Sequence, residues 1–478
     1  MTRLLLSTLL VLLVGLCSAP CASREILTGD ALVVLEGATV FGPGGVLQPN
    51  AVVVLQGDRI SRIGSVGEFR YPSTATIIDV KDRFILPGFI DMHVHVAAKA
   101  RAEIMRTLLA HGITTARNPG ADDVAGGVEA RDLLERGELR GPRLVTAGPI
   151  INAPPDRSPE HVIVRSADEM RAEIRRQKNL GVDVIKLYWD VTPALFQVAV
   201  TEAHALGLKV AGHLGATTWT EAARLGVDFL EHSGFEGPKW DLVDAASLKA
   251  QIRGQHPSLL ASGTVKPIEF YKRWSDAVDL RGPQMDALAA TLKEHQVSVD
   301  PTLVTLQSLY YGDDLDILRR LEPERMPLAI PATWGDGWRQ ANPIVVPDAS
   351  GQNFLSERVT WPIAMGITRA LHERGVRITA GSDTGMPWIT PGVSLHREME
   401  ILVDAGIPVR DVLLIATRNG AEALGLSAEI GTVEGGKVAD FVVLRRNPVE
   451  DIRNTRSIEA VYHFGRRYDP DTLIAGRQ

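Results

Sequence analysis

His93 and His95 stand two residues apart in the run Leu86-Pro87-Gly88-Phe89-Ile90-Asp91-Met92-His93-Val94-His95. Side chains two apart on an extended strand leave the same face, so both imidazoles can address one metal ion. Alone, such a pair is more often structural or accidental. Its weight comes from polar residues that recur at the ends of later apolar runs. Lys186 lies inside Val182-Asp183-Val184-Ile185-Lys186-Leu187-Tyr188, where a buried amine is costly unless paired or neutral. The alternative is a lysine that caps the strand and reaches solvent. His213 ends Lys209-Val210-Ala211-Gly212, His232 ends Phe229-Leu230-Glu231, and Asp383 follows Ile378-Thr379-Ala380-Gly381-Ser382. A single histidine at a strand end is usually just hydrogen-bonded, and Asp383 also reads as an Asx turn. Gly381 and Gly385, on either side of Asp383, allow close backbone approach to a ligand.

These residues need a scaffold that brings successive strand ends together. Apolar runs beginning at Phe89, Ile113, Arg143, Val184, Lys209, Phe229, Ser298 and Arg377 alternate with helix-length amphipathic segments. That is the pattern of parallel βα units, and eight in series predict an α/β fold, a (β/α)8 TIM-like barrel over residues 87–429. In such a barrel the active site lies at the C-terminal strand ends. Short strands broken by Gly-rich turns occupy both chain termini, which predicts a small β-sandwich domain composed of residues 23–86 and 430–478. The spacing stretches after His232, with insertions at about 235–295 and 304–365 that exceed ordinary loop lengths. They carry Trp240, Trp274, Trp334 and Trp338 and are read as loops and helices forming a lid or substrate wall.

The chain has 478 residues, 45% of them hydrophobic and 23% charged, so it can bury a sizeable core and is not a disordered protein. A formal net charge of −7 gives no electrostatic reason to expect nucleic acid or an anionic membrane as partner. Residues 1–22 combine Arg3, the apolar run from Leu4 to Leu16 and a small-residue tail, the make-up of a signal peptide. The run is too short for a transmembrane helix, so the mature chain is expected in the periplasm or secreted, without a membrane span. Cys17 and Cys21 are the only cysteines and fall in this segment. Leu16 and Pro20 before them are poor contexts for a lipoprotein anchor. The mature protein then has no thiol, and any metal must be held by nitrogen and oxygen. A homo-oligomer is compatible with the sequence.

The ordered set His93, His95, Lys186, His213, His232 and Asp383 resembles the amidohydrolase superfamily, in its binuclear branch with a carboxylated lysine. Leu86 to His95 looks like the motif that leads into that barrel, and Gly431 to Leu444 looks like its return to the β domain. Gly181 to Tyr188 and Gly112 to Arg117 are similar to the imidazolonepropionase-related group that contains Xaa-Pro and Xaa-Arg dipeptidases. Asn118 departs from it, since many relatives are acidic there.

The resemblance implies two divalent metals, Zn2+ first and Mn2+ or Co2+ next, with Lys186 carrying a CO2-derived carbamate between them. His93, His95 and Asp383 would complete one site, and His213 and His232 the other. A bridging hydroxide would attack the carbonyl of an amide, in a dipeptide or N-acyl amino acid, with Asp383 as general base and then acid. Tyr188, two residues after Lys186, either stabilises the oxyanion, binds a substrate carboxylate, or packs in the barrel. His161 either contacts substrate or is an ordinary loop residue. The same site could cleave an ester, lactone or phosphoester. A mononuclear deaminase would carry glutamate where Ala216 stands, and a non-catalytic scaffold would not need the ligand set.

Overall fold

The computed structural model describes residues 25–27, 31–120, 124–156, 161–234, 237–238, 240–243, 267–312, 314–322, 354–386 and 388–476. The expected signal peptide 1–22, together with Trp334, Trp338 and much of both insertions, lies outside the described residues. Among the described residues no helix is long and apolar enough to cross a membrane.

All eight expected barrel strands are present: Phe89–Asp91, Ile113–Asn118, Arg143–Thr146, Val184–Leu187, Lys209–Gly212, Phe229–Glu231, Ser298–Asp300 and Arg377–Ile378. Each pairs in parallel with its successor, the third and fourth through a bridge between Ala147 and Val184. The barrel closes where Met92 N donates to Ala380 O, Asp383 N donates to His93 O, and Val94 bridges Thr384. Closure explains why the strand runs are continuously apolar. Every residue of Ile113–Asn118 and of Val184–Leu187 is buried, as a strand covered on both faces requires.

Local signals set the helices between them. Ser166 caps Ala167–Asn179 by accepting from Glu169 N, with acidic residues in the first turn and basic ones in the last. Thr218 and Glu221 form a capping box at the start of Trp219–Leu225, which ends on the left-handed Gly226. The stretch between the sixth and seventh strands carries the helices Pro267–Ala277 and Pro283–Glu294. Between the seventh and eighth lie Leu303–Tyr310, Leu315–Arg319, a 3-10 turn at Phe354–Thr360, and Trp361–Glu373. Trp274 belongs to the helix Pro267–Ala277. It is fully buried in the main core, and Trp240 packs against the same core, because an indole yields more free energy inside than at an open rim.

Both chain ends do share one β domain. Its eight-stranded sheet runs Arg466–Tyr468, Ile458–His463, Phe441–Leu444, Phe84–Pro87, Leu32–Phe41, Leu47–Gln56, Arg59–Ser65, with Thr76–Asp79 added beside Leu32–Phe41. The sheet curls over a core that joins Leu35, Val53 and Ile60 to Phe441, Val443 and Tyr462. Antiparallel pairing of Phe441–Leu444 with Phe84–Pro87 fixes the start of the first barrel strand, since Gly88 N donates to Asp440 O.

Candidate metal centre

The barrel's C-terminal mouth holds the residues singled out by type and spacing. His93 and His95 follow the first strand, and Asp383 follows the eighth, directly across the closing seam. Asp383 Oδ1 lies 3.4 Å from His93 Nε2 and 3.1 Å from His95 Nε2. Two ligands each about 2.1 Å from a tetrahedral ion stand about 3.4 Å apart, so this spacing fits one shared cation. The tautomers fit as well. His95 Nδ1 lies 2.9 Å from the Gly120 carbonyl, and His93 Nδ1 lies 3.1 Å from Glu231 Oε2. Each contact takes an Nδ1–H and leaves the Nε2 lone pair turned toward Asp383. Burial pushes the His93 imidazole down to about 4, which keeps it neutral and able to ligate. Burial opposes the charge of Asp383, but His93 and His95 outweigh it and hold the carboxyl well below the usual range.

A charged layer lies beneath this triad. Arg117 Nη1 is 2.9 Å from Glu231 Oε1, Arg117 Nη2 is 3.0 Å from Glu231 Oε2, and Arg117 Nε donates to Met92 O at 2.7 Å. Lys186 Nζ lies 3.8 Å from Glu231 Oε1. Burial acts against the Glu231 carboxylate, yet Arg117, Lys186 and His93 together hold it ionised. Burial lowers the affinity of Lys186 for its proton, the condition under which an amine becomes a nucleophile. Asp300 ends the seventh strand with Oδ2 3.5 Å from Arg117 Nη2 and 3.7 Å from His93 Nδ1. Burial and the neighbouring Glu231 charge push its carboxyl well above the usual range. His93, Glu231 and Asp300 also converge closely enough to suggest a metal site, but the Arg117 guanidinium beside both carboxylates makes it an ion-pair cluster.

His213 and His232 bring the fifth and sixth strand ends to the same mouth. Their ring centroids are 4.4 Å apart, and His232 lies 5.0 Å from His93. His232 Nδ1 meets Thr302 Oγ1 at 2.6 Å. His232, Thr302 and Asp383 all take left-handed backbone, with φ of 61°, 44° and 58°. Strained residues at three consecutive strand ends are characteristic of functional sites. Tyr188 packs its ring 4.8 Å from His213, and His161 lies 5.0 Å from Tyr188. His161 Nδ1 is 2.5 Å from Asp156 Oδ2, and the Tyr188 ring connects this loop histidine to His213.

Sequence reasoning passed over Glu231, Arg117, Asp300 and Thr302. A charged residue inside an apolar run, the signal that singled out Lys186, was equally present at Glu231 in Phe229–Glu231. The glycines flanking Asp383 also answer to crowding inside the mouth. A Cβ at Gly381 would lie 2.3 Å from Asp300 Oδ2 and 2.7 Å from His93 Cβ, and one at Gly385 would lie 2.7 Å from His95 Cβ. Their small size is required by the close approach of the first, seventh and eighth strand ends. His111, His204 and His372 bond to Thr107 O, Asp228 and Asp411, away from the centre.

Imidazoles, a buried lysine and a carboxylate gathered at the C-terminal mouth of a closed eight-stranded barrel define a barrel protein with a candidate metal centre. The sequence pattern of the amidohydrolase family matches residues 84–315 and 346–468, and the chain belongs to that family. It is similar to imidazolonepropionase of Pseudomonas savastanoi pv. phaseolicola, 24% identical over 412 residues, 82% of this chain and 87% of that protein. It also matches 5-methylthioadenosine/S-adenosylhomocysteine deaminase of Moorella thermoacetica, 41% identical over 70 residues, 14% of this chain and 16% of that protein. That match therefore spans only about a sixth of the deaminase. Among solved structures, a putative prolidase from Bifidobacterium longum shares the fold with a TM-score of 0.67 and 23% identity, covering 93% of this chain and 98% of that one. A Xaa-Pro dipeptidase with bound methionine does so with a TM-score of 0.65 and 20% identity, covering 92% and 100%.

Proposed function

We propose that this protein is an exported hydrolase with two divalent metal ions, cleaving the amide bond of a dipeptide or an N-acyl amino acid. The observation that carries the reading is the convergence of His93 Nε2, His95 Nε2 and Asp383 Oδ1 beside a buried Lys186. His93, His95 and Asp383 would hold one ion, His213 and His232 the other, and a carboxylated Lys186 would serve both. Such ions supply Lewis acidity for the carbonyl and an acidified water at neutral pH. With Oδ1 turned toward the two imidazoles, Oδ2 of Asp383 takes the proton of the attacking water and passes it to the leaving amine. Glu231 and Arg117 keep His93 oriented while this happens. Tyr188 and the Asp156-held His161 line the approach and supply polar hydrogens to a substrate carboxylate. Ala216, in place of the glutamate that deaminases of this fold use, argues against deamination.

The test is metal analysis of the purified protein beside a panel of dipeptides, N-acyl amino acids, lactones and phosphotriesters. We expect two zinc, manganese or cobalt ions per chain after growth with metal and bicarbonate, and turnover of amides. Fewer than one ion per chain refutes the binuclear site. Turnover of esters or lactones alone refutes the amide assignment and leaves the site standing. Lys186→Met should lose metal and activity together, and its full retention of both would remove the bridging role.

A further inference from the structure

Glu398 lies on the helix Val393–Asp404, beyond the eighth strand, and is completely buried. Its Oε1 accepts from Leu303 N at 3.0 Å and its Oε2 accepts from Val304 N at 2.6 Å. These are the first two amides of the helix Leu303–Tyr310, donors that a helix start leaves unsatisfied. The residue at the capping position is Thr302, whose hydroxyl would ordinarily accept from Val304 N or Thr305 N. It makes no cap bond. Its Oγ1 is instead 2.6 Å from Nδ1 of His232, and its backbone is left-handed, a costly state for a β-branched residue. The capping task has thus moved to the Glu398 carboxyl on another element, which frees Thr302 for the histidine.

We infer that Glu398 is a positioning residue for the metal centre, acting on His232 through Thr302. By taking the Leu303 and Val304 amides, Glu398 fixes the turn in which Thr302 presents its hydroxyl to His232. As acceptor from Nδ1–H, that hydroxyl leaves the Nε2 lone pair for an ion. The same helix start reaches the other side of the centre, where Thr305 Oγ1 donates to the carbonyl of Ser382, the neighbour of Asp383. One buried carboxyl side chain therefore steadies the sixth and eighth strand ends together. The inference rests on the metal-centre reading proposed above.

The experiment compares wild type with Glu398→Gln, Glu398→Ala, Thr302→Val and Thr302→Ser. Zinc retention is measured against a chelator series, the visible spectrum is recorded after cobalt substitution, and the melting temperature is taken on metal-free protein. Glu398→Gln and Thr302→Val should each weaken one of the two ions by about 10–100-fold and change the cobalt spectrum, while Thr302→Ser keeps wild-type retention. Should Glu398→Ala fail to fold, the two milder variants carry the test. If both retain two ions at wild-type chelator concentrations with unchanged spectra, the positioning role is overturned, whatever happens to the melting temperature. A wild type that retains no metal overturns instead the reading on which the inference rests.

Discussion

His93 Nδ1 lies 3.1 Å from Oε2 of Glu231, so a candidate ligand just after the first strand is oriented by the residue directly preceding another candidate ligand, His232. Glu231 performs this task while neutralising Arg117 and facing Lys186. It is the point where the order of the candidate metal triad and the stability of the barrel interior meet.

Removing Glu231 should therefore be severe. Glu231→Ala leaves the Arg117 guanidinium buried without its main partner, a change that typically costs about 3–5 kcal/mol. Urea unfolding of Glu231→Ala, Arg117→Met and the double variant would measure it. We expect strong coupling, with the double variant more stable than the sum of the single losses. Additive losses would contradict the pairing.

Metal and stability should be linked. If the centre binds ions only in the folded state, chelation lowers the melting temperature and zinc restores it. At a free metal concentration of ~100 Kd the difference is about 2.7 kcal/mol. A melting temperature unaffected by both treatments would count against the centre.

Gly381→Ala places a methyl group 2.3 Å from Asp300 Oδ2 and 2.7 Å from His93 Cβ. Relief requires the first and eighth strand ends to separate, which should cost about 1–3 kcal/mol as overpacking. It should also move His93 away from Asp383. Zinc titration of the folded variant checks this, and a variant with undiminished affinity would show that the seam can yield elsewhere.

His396 provides a pH prediction remote from the centre. It is buried, with Nε2 3.1 Å from His111 O and Nδ1 2.9 Å from the Thr455 hydroxyl, and burial holds it well below the ordinary histidine range. The unfolded chain takes up this proton near pH 6.5 and the folded one only at much lower pH. Stability from this residue is thus complete above about pH 6.5 and falls below it, by about 1.4 kcal/mol per pH unit. Chemical denaturation between pH 7 and pH 5 should show a steeper decline in wild type than in His396→Gln. Parallel curves would contradict it.

The sequence by itself determined the fold class, the eight barrel strands and the residues at their ends. Those signals are local: period-two side chains put His93 and His95 on one face, and unbroken apolar runs mark strands covered on both sides. Lys186, His213, His232 and Asp383 were legible because polar residues interrupt or end such runs. What only the tertiary structure decided is which distant groups meet. Arg117 and Glu231 are 114 residues apart, Thr302 and His232 are 70 apart, and Glu398 and Leu303 are 95 apart. No local pattern encodes these pairs, because barrel closure alone brings strands two, six, seven and eight and their following helices to one mouth. The glycines beside Asp383 make the same point. Their small size was legible, but the crowding that requires it comes from His93, His95 and Asp300 on other strands.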